Sequence, residues 1–543
     1  MVAHALRTFW GPILPSVIKV VLTHRGAAKA KYGAGGWAKI RQAVTQLAKA
    51  DKSRGITTRF FAVDSASDAT RVGATKIDSP GDSAAIKATI DHIYSAWSPA
   101  YLVLLGGPEL LSPVTLSNPL WTGNPDDDPD QFVPSDLPYA CDAPFSSSPA
   151  DYRGATRVVG RIPDLIGLAD PAVLLTQLAA ATVADALIRP HPAPVFAVTA
   201  KVWRGSTQLS VGKLPDVSGA VHISPTEGPV WTKSALAAPL HFINCHGSEF
   251  DPIWYGQLSP NNWDLPHAVE AARLPGMVAP GTVVAAECCY GTAHWPPAAA
   301  NGQASVGLSY LLAGATGVFG ASTVAYGPPS ANEYADVLCR LFLEEVLGGA
   351  SLGRAALSAR QRFVQGQTYL DPTDLKTLGQ FDLLGDPSLQ PFVANGAAPH
   401  NAVPPAASPR RAAPKAGRRI PQPTVSAAVL ARRTTLSALG DALARSTTAS
   451  NDTARNRSGL THARLADLLG EYIPESVRIR TFDSAGGIDT AARAAGAGAA
   501  LAKGLRPTTH VAFVPATRGR PKAVVVVREH PGGEPTVRVA VPR

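Results

Sequence analysis

Residues 241–250 read HFINCHGSEF, an apolar run that passes straight into Cys245-His246-Gly247-Ser248. About 40 residues further on, VVAAECCYGT (283–292) repeats the shape, with an apolar run, then Cys288-Cys289, then Gly291. Polar residues directly after a buried strand stand at its C-terminal end, the edge where open α/β sheets usually bind ligands. Two such strands side by side would bring His246 and one cysteine face to face.

The flanking sequence supplies a sheet for them. IKVVLTH (18–24) is a short β-branched run, GWAKIRQAVTQLAKADKSRG (36–55) has helical periodicity ending in Gly, and ITTRFFAVDS (56–65) reads as a strand again. DSAAIKATIDHIYSAW (82–97) opens on an Asp cap and precedes the strand YLVLLGG (101–107). A polar, Pro-rich excursion covers roughly 108–155, and a second cycle follows. In it PVFAVTA, LHFINCHG, TVVAAECC and TGVFGASTVA read as strands, and VGLSYLLAG and SANEYADVLCRLFLEEVLGG as helices. This alternation predicts an α/β fold with a parallel sheet covered by helices.

At 543 residues the chain exceeds one hydrophobic core, so several units are expected. Residues 396–425 hold Ala, Pro and Arg with hardly a large apolar side chain, the composition of a linker. Beyond it, 426–543 has a helical stretch (LTHARLADLLGEYI) and strands (THVAFVPA, KAVVVVREH, TVRVAV) enough for a small α+β module. The net charge of +9 is uneven: residues 426–543 carry 17 Lys/Arg against 9 Asp/Glu, and the linker adds 5 basic residues and no acidic ones. The first 395 residues are therefore mildly acidic, and attraction to a polyanion would lie in the tail. No aromatic pattern accompanies the tail arginines, which argues against nucleic acid.

Five cysteines (Cys141, Cys245, Cys288, Cys289, Cys339) at irregular spacing do not form a secreted disulfide framework. Pro12 and Pro15 interrupt the N-terminal apolar run, and no signal peptide or membrane-spanning stretch is read. A cytoplasmic location is expected ahead of secretion, with no membrane partner.

Cysteine attacks as the thiolate, so it needs an imidazole or a positive dipole beside it and a route for protonating the leaving group. A histidine at one strand end and a cysteine at the next supply both. The oxyanion formed on attack needs amide donors, which Gly247 and the cysteine itself could offer. Each motif alone is weak, because a buried cysteine is most often an inert small apolar residue.

The pattern of apolar strand, His-Gly, then apolar strand ending in acidic-x-Cys resembles the caspase-haemoglobinase superfamily of cysteine peptidases. CHGS (245–248) resembles the His-Gly-Ser of gingipains, and ECCYGT (287–292) the Gln-Ala-Cys-Arg-Gly of caspases and Glu-Ala-Cys of legumains. YLVLLGGPELLSP, RVVGRIPDL, SYLLAGATGVFGAST and FDLLGDPSLQP (381–391) resemble, in order, landmarks of the gingipain family. The resemblance covers roughly 16–395. It implies a three-layer αβα unit with a mostly parallel sheet, divided into an N-terminal subdomain (16–190) and a catalytic one (191–395).

By resemblance, His246 is general base and acid, Cys289 the nucleophile, and the Gly247 and Cys289 amides the oxyanion hole of an endopeptidase acting on protein or peptide substrates. Register stays open between the two cysteines. Aligning Glu287 with the residue two before the nucleophile selects Cys289, the preferred reading; aligning on Cys-x-x-Gly selects Cys288. Neighbours on a strand point to opposite faces, so only one can meet His246. No organic cofactor is required, and a structural calcium ion is implied only by analogy, without a ligand set. Glu249 and Asp251 follow His246 closely but read as a solvated loop.

Two rivals remain. A metal site built from Cys245, His246, Cys288, Cys289 and His294 lacks the spacing of known zinc sites. A peptidase-like scaffold without catalysis is the alternative function, since fold does not fix activity. KYGAGGW (31–37) lacks the Gly-Lys-Ser/Thr of a phosphate loop and reads as a mobile turn. Arg410-Arg411 and Arg418-Arg419 in the linker would suit self-cleavage by an enzyme that prefers basic residues.

Overall fold

A computed structural model of the protein describes residues 17–393 apart from 192, 261, 263, 368 and 369, and then 460–470, 477–483, 508–516, 522–529 and 534–543. The linker at 396–425, with its paired arginines, lies outside the described residues. The strands in chain order are β1 (Val17–Thr23), β2 (Ile56–Ala62), β3 (Tyr101–Leu105), β4 (Val114–Ser117), β5 (Phe132–Ser135), β6 (Val159–Ile162), β7 (Ala193–Ala200), β8 (Val217–Ser218), β9 (Val221–Ser224), β10 (Leu240–Asn244), β11 (Ile253–Tyr255), β12 (His267–Glu270), β13 (Val283–Ala286), β14 (Gly317–Ala321), β15 (Tyr326–Gly327), β16 (Phe381–Gly385), β17 (Arg478–Asp483), β18 (Thr508–Val514), β19 (Ala523–Glu529) and β20 (Thr536–Pro542).

One 11-stranded sheet carries the fold, in the order β2-β1-β3-β6-β16-β14-β13-β10-β7-β8, with β9 also on β7. Every pairing in it is parallel except β14 with β16. That antiparallel seam reverses the strand direction between the two halves, so residues of both expected subdomains share one continuous sheet. Strands β3, β10, β13, β14 and β16 are buried at every position. Such unbroken apolar runs are what helices on both faces demand.

Local signals set the helix ends. Asp82 accepts from the Ala85 N–H at the start of helix 83–97, and Asp371 and Asp374 form a capping box at helix 372–380. The stretch KYGAGGW is not a mobile turn: it lies within the helical segment Arg25–Ser53, which kinks where Gly33 takes φ 69°. Gly tolerates that backbone at no steric cost, so the glycines bend the helix rather than end it.

A charged cluster ties β1 to the first long helix and to the end of β16. Lys19 of β1, wholly buried, pairs with Asp51 at 2.6 Å and Asp386 at 2.8 Å. Buried ions demand such partners, because an unpaired one would be left without solvation.

The tail contributes helix His462–Leu469 and β17 to β20. Its sheet runs β15-β20-β19-β18-β17, so the short β15 of the large unit completes it. Among the described residues no helix is long and apolar enough to cross a membrane.

Candidate active site

β10 and β13 are parallel neighbours in register from Leu240 opposite Val283 to Ile243 opposite Ala286. His246 and Cys289 follow two and three residues after these strands end, on one edge of the sheet. The two cysteines differ in surroundings. Cys288 turns its thiol toward the Ile243 carbonyl at 3.8 Å, in a core cluster with Cys245 and Tyr310. Cys289 faces the segment before β15, where its sulfur accepts from the Ala325 N–H at 3.3 Å. It is only 3% exposed.

His246 is held on three sides. Its backbone exchanges two 2.9 Å hydrogen bonds with Tyr255 of β11, and its ring centroid lies 4.3 Å from that of Trp203. Its Nε2 is 2.8 Å from Gln257 Oε1. The Gln257 amide NH2 already donates to the Ser259 and Asn262 carbonyls at 3.1 and 3.2 Å, so the oxygen must be the atom presented to the ring. Nε2 therefore carries the hydrogen and Nδ1 is the basic nitrogen. Burial takes His246 down to about 4, against the Gln257 hydrogen bond and with help from the Arg543 charge. Burial pushes the Cys289 thiol up to about 12, against stabilisation of the thiolate by the Ala325 and Arg543 amides and the Lys376 charge.

Gly247 packs on the Cys289 backbone so closely that a Cβ would run into the Cys289 carbonyl oxygen. Among the described residues, neither the Gly247 nor the Cys289 N–H has an acceptor within the chain. Tyr290, directly after Cys289, sits at φ 55°, a left-handed backbone unfavourable for a non-glycine residue.

A wall from the early Pro-rich excursion fixes this turn. Asp130 accepts from the Tyr290 hydroxyl at 3.0 Å and the Val324 N–H at 2.8 Å, while Asp128 accepts from the Tyr326 hydroxyl at 2.9 Å. Buried Lys376 pairs with both carboxylates, at 2.6 and 3.1 Å. A cavity of about 300 Å³ opens beside the turn, lined by Trp203, His246, Gln257, Val324, Tyr326 and Val541 among others.

Sequence reasoning missed Gln257, Trp203, Asp128, Asp130 and Asp336, the buried neighbour of Glu287. Asp336 had a signal: in YADVLCRLFLEEVL it shares the buried face with Cys339 and Leu343. Glu249 is exposed, as expected of a solvated loop, and Asp251 accepts from the Tyr255 hydroxyl at 2.5 Å. The five residues of the zinc rival form no such centre, because among the described residues no three His, Cys, Asp or Glu side chains are grouped to hold a metal ion.

The large, mostly parallel sheet with its helices is a mixed α/β architecture consistent with a caspase-haemoglobinase-like fold. Residues 254–392 match the family model for peptidase family C25, the gingipain family of cysteine peptidases. Cys289, Gln257, Glu287 and Asp336 fall inside the matched segment; His246 and Trp203 precede it. Among solved structures, a protease aligns over 97% of this chain and 97% of its own at 12% identity, with a TM-score of 0.42. No curated protein matches.

Proposed function

We propose that the chain is a cysteine endopeptidase in which Cys289 is the nucleophile and His246 its general base and acid. The observation that carries this reading is the hydrogen bond from His246 Nε2 to Gln257, which leaves Nδ1 basic on the strand edge shared with Cys289. Nδ1 takes the thiol proton, and the sulfur attacks a peptide carbonyl. The oxyanion is held by the unengaged N–H groups of Gly247 and Cys289. The imidazolium then protonates the departing amine, leaving an acyl-enzyme that a His246-activated water hydrolyses.

The silent scaffold has one observation in its favour. A thiol near 12 beside an imidazole near 4 is a neutral, unreactive pair at pH 7. Both shifts come first from burial, so they describe the closed cleft rather than the residues themselves. All five cysteines are buried free thiols, which fits the expected reducing compartment.

The test is cleavage of a positional-scanning fluorogenic peptide library under reducing conditions by the wild type, Cys289→Ala, Cys288→Ala and His246→Ala. Activity lost in the first and third variants and kept in Cys288→Ala is expected. Silence in every protein, including one with an opened cleft, would leave the scaffold.

A further inference from the structure

β20 shares the buried apolar cluster of Cys289 through Ala540. We propose that residues 536–543 are a pseudosubstrate, an extended segment that occupies the substrate cleft and seats Arg543 in the side-chain pocket beside Cys289. The proposal rests on the peptidase reading of that cleft.

The backbone of the segment lies as an extended peptide would. β20 pairs antiparallel with β15, Pro542 opposite Tyr326 and Val541 opposite Gly327, and the Arg543 N–H donates to the Ala325 carbonyl at 2.9 Å. Addition of a strand to an exposed edge is a common way to bind extended peptides, with main-chain hydrogen bonds giving affinity and pockets giving selectivity. β15 is two residues long and stands outside the main sheet, so among the described strands its partner is β20. The Arg543 amide also stabilises charge on the Cys289 sulfur, which puts that residue next to the reacting atom.

The pocket is built for a guanidinium. Arg543, 1% exposed, places Nη2 3.0 and 3.1 Å from the two Asp336 carboxylate oxygens, 3.0 Å from the Pro328 carbonyl and 3.6 Å from Glu287. Its Cζ lies 4.4 Å from the Trp203 ring centroid. Ser206 donates to Asp336 and holds it in place. Burial and the neighbouring Asp336 push the Glu287 carboxyl well above its usual value, against the Arg543 charge, and the closer carboxylate to Arg543 is Asp336. Gly327 makes the room: a Cβ there would overlap the Arg543 guanidinium.

A second anchor and the charge balance support the same occupant. Arg538, on the same strand, reaches Glu333 at 2.9 Å, Asp371 at 2.7 Å and Asp374 at 2.9 Å, and Arg478 reaches Asp127 at 2.8 Å. The basic excess of the tail is thus met by carboxylates of the mildly acidic large unit. Occupancy is not perfect: among the described residues, Nε and Nη1 of Arg543 have no acceptor. Buried unpaired donors weaken the seat, which leaves the strand displaceable by a better-fitting peptide.

Alkylation by iodoacetamide, followed residue by residue with peptide mass spectrometry on the full-length chain, tests this without requiring hydrolysis. Cys289 should react about tenfold or more faster in Arg543→Ala than in wild type, because a freed thiol returns toward its ordinary range. Adding the peptide TVRVAVPR (536–543) to the variant should restore protection, while Cys245 and Cys288 stay protected throughout. Equal Cys289 rates in wild type and Arg543→Ala, with those two core cysteines protected, would overturn the proposal. If the core cysteines also react, the comparison moves to Arg538→Gln, which loosens the strand away from the pocket; a Cys289 rate there equal to wild type would overturn it too. Faster alkylation without hydrolysis of any peptide would uphold the occupancy and sink the peptidase reading. Full hydrolysis by a wild type whose Cys289 reacts freely would do the opposite.

Discussion

Gln257 Oε1 lies 2.8 Å from His246 Nε2, with its amide group pinned by two backbone carbonyls. A neutral amide takes the place where a carboxylate could have charged the ring. Gln257→Leu should lower kcat on the order of tenfold or more with KM little changed, since it misorients a base whose contribution is about 10²–10⁴. Gln257→Glu should keep the orientation and favour the imidazolium, raising the His246 pKa. Activity needs the neutral ring, so the acid limb of the pH profile of kcat/KM should move to higher pH.

Gly247 allows the two strand-end loops to touch. Gly247→Ala places a Cβ against the Cys289 carbonyl and must shift the backbone that carries both unengaged N–H groups. Peptide hydrolysis should fall by about 10²-fold or more, the scale of losing one oxyanion donor. Thermal unfolding of the variant should remain cooperative, which separates loss of the donor geometry from loss of the fold.

Thiol reactivity should depend on the cleft as well as on pH. With β20 seated, burial holds Cys289 near 12, so its alkylation should climb only at strongly alkaline pH. In Arg543→Ala the same rise should come at lower pH, closer to the ordinary thiol range of about 8.5. A stopped-flow or quenched alkylation series from pH 6 to 10 reads the shift.

Lys19 of β1 joins the helix Arg25–Ser53 and the residue after β16 through Asp51 and Asp386. Lys19→Met leaves buried Asp386 without its cation, while Asp51 keeps Arg54, and should cost about 3–5 kcal/mol in denaturant titration. Burial raises the Asp386 pKa, but the Lys19 charge and hydrogen bonds together with Ser388 bring it below its usual value. Its contribution is therefore present above the ordinary carboxylate range and lost as pH falls through the folded value, so acid should destabilise the wild type more steeply than Lys19→Met.

Local patterns made the sheet legible, because buried parallel strands are written as continuous apolar runs and their ends as abrupt polar junctions. His246, Gly247 and the cysteine pair stood out for that reason. Which cysteine faces Ala325 and which the core was not legible, since alternation fixes opposite faces without naming them. Gln257 left no trace, being a loop residue 11 positions after His246 whose role depends on the fold of its own turn. Arg543 was further out of reach: its partner Asp336 is 207 residues away, and composition showed only a basic tail. The Gly-rich stretch at 31–37 misled, because helix packing overrode the turn preference of its glycines.

The most direct measurement is tandem mass spectrometry of the Arg543→Ala protein treated with an arginyl acyloxymethyl ketone peptide, an inhibitor that forms a thioether with an attacking thiolate. The expected result is one adduct, on Cys289, absent in the same protein carrying His246→Ala and retained with Cys288→Ala. An adduct on Cys288, or on Cys289 at the same rate without His246, would contradict the dyad.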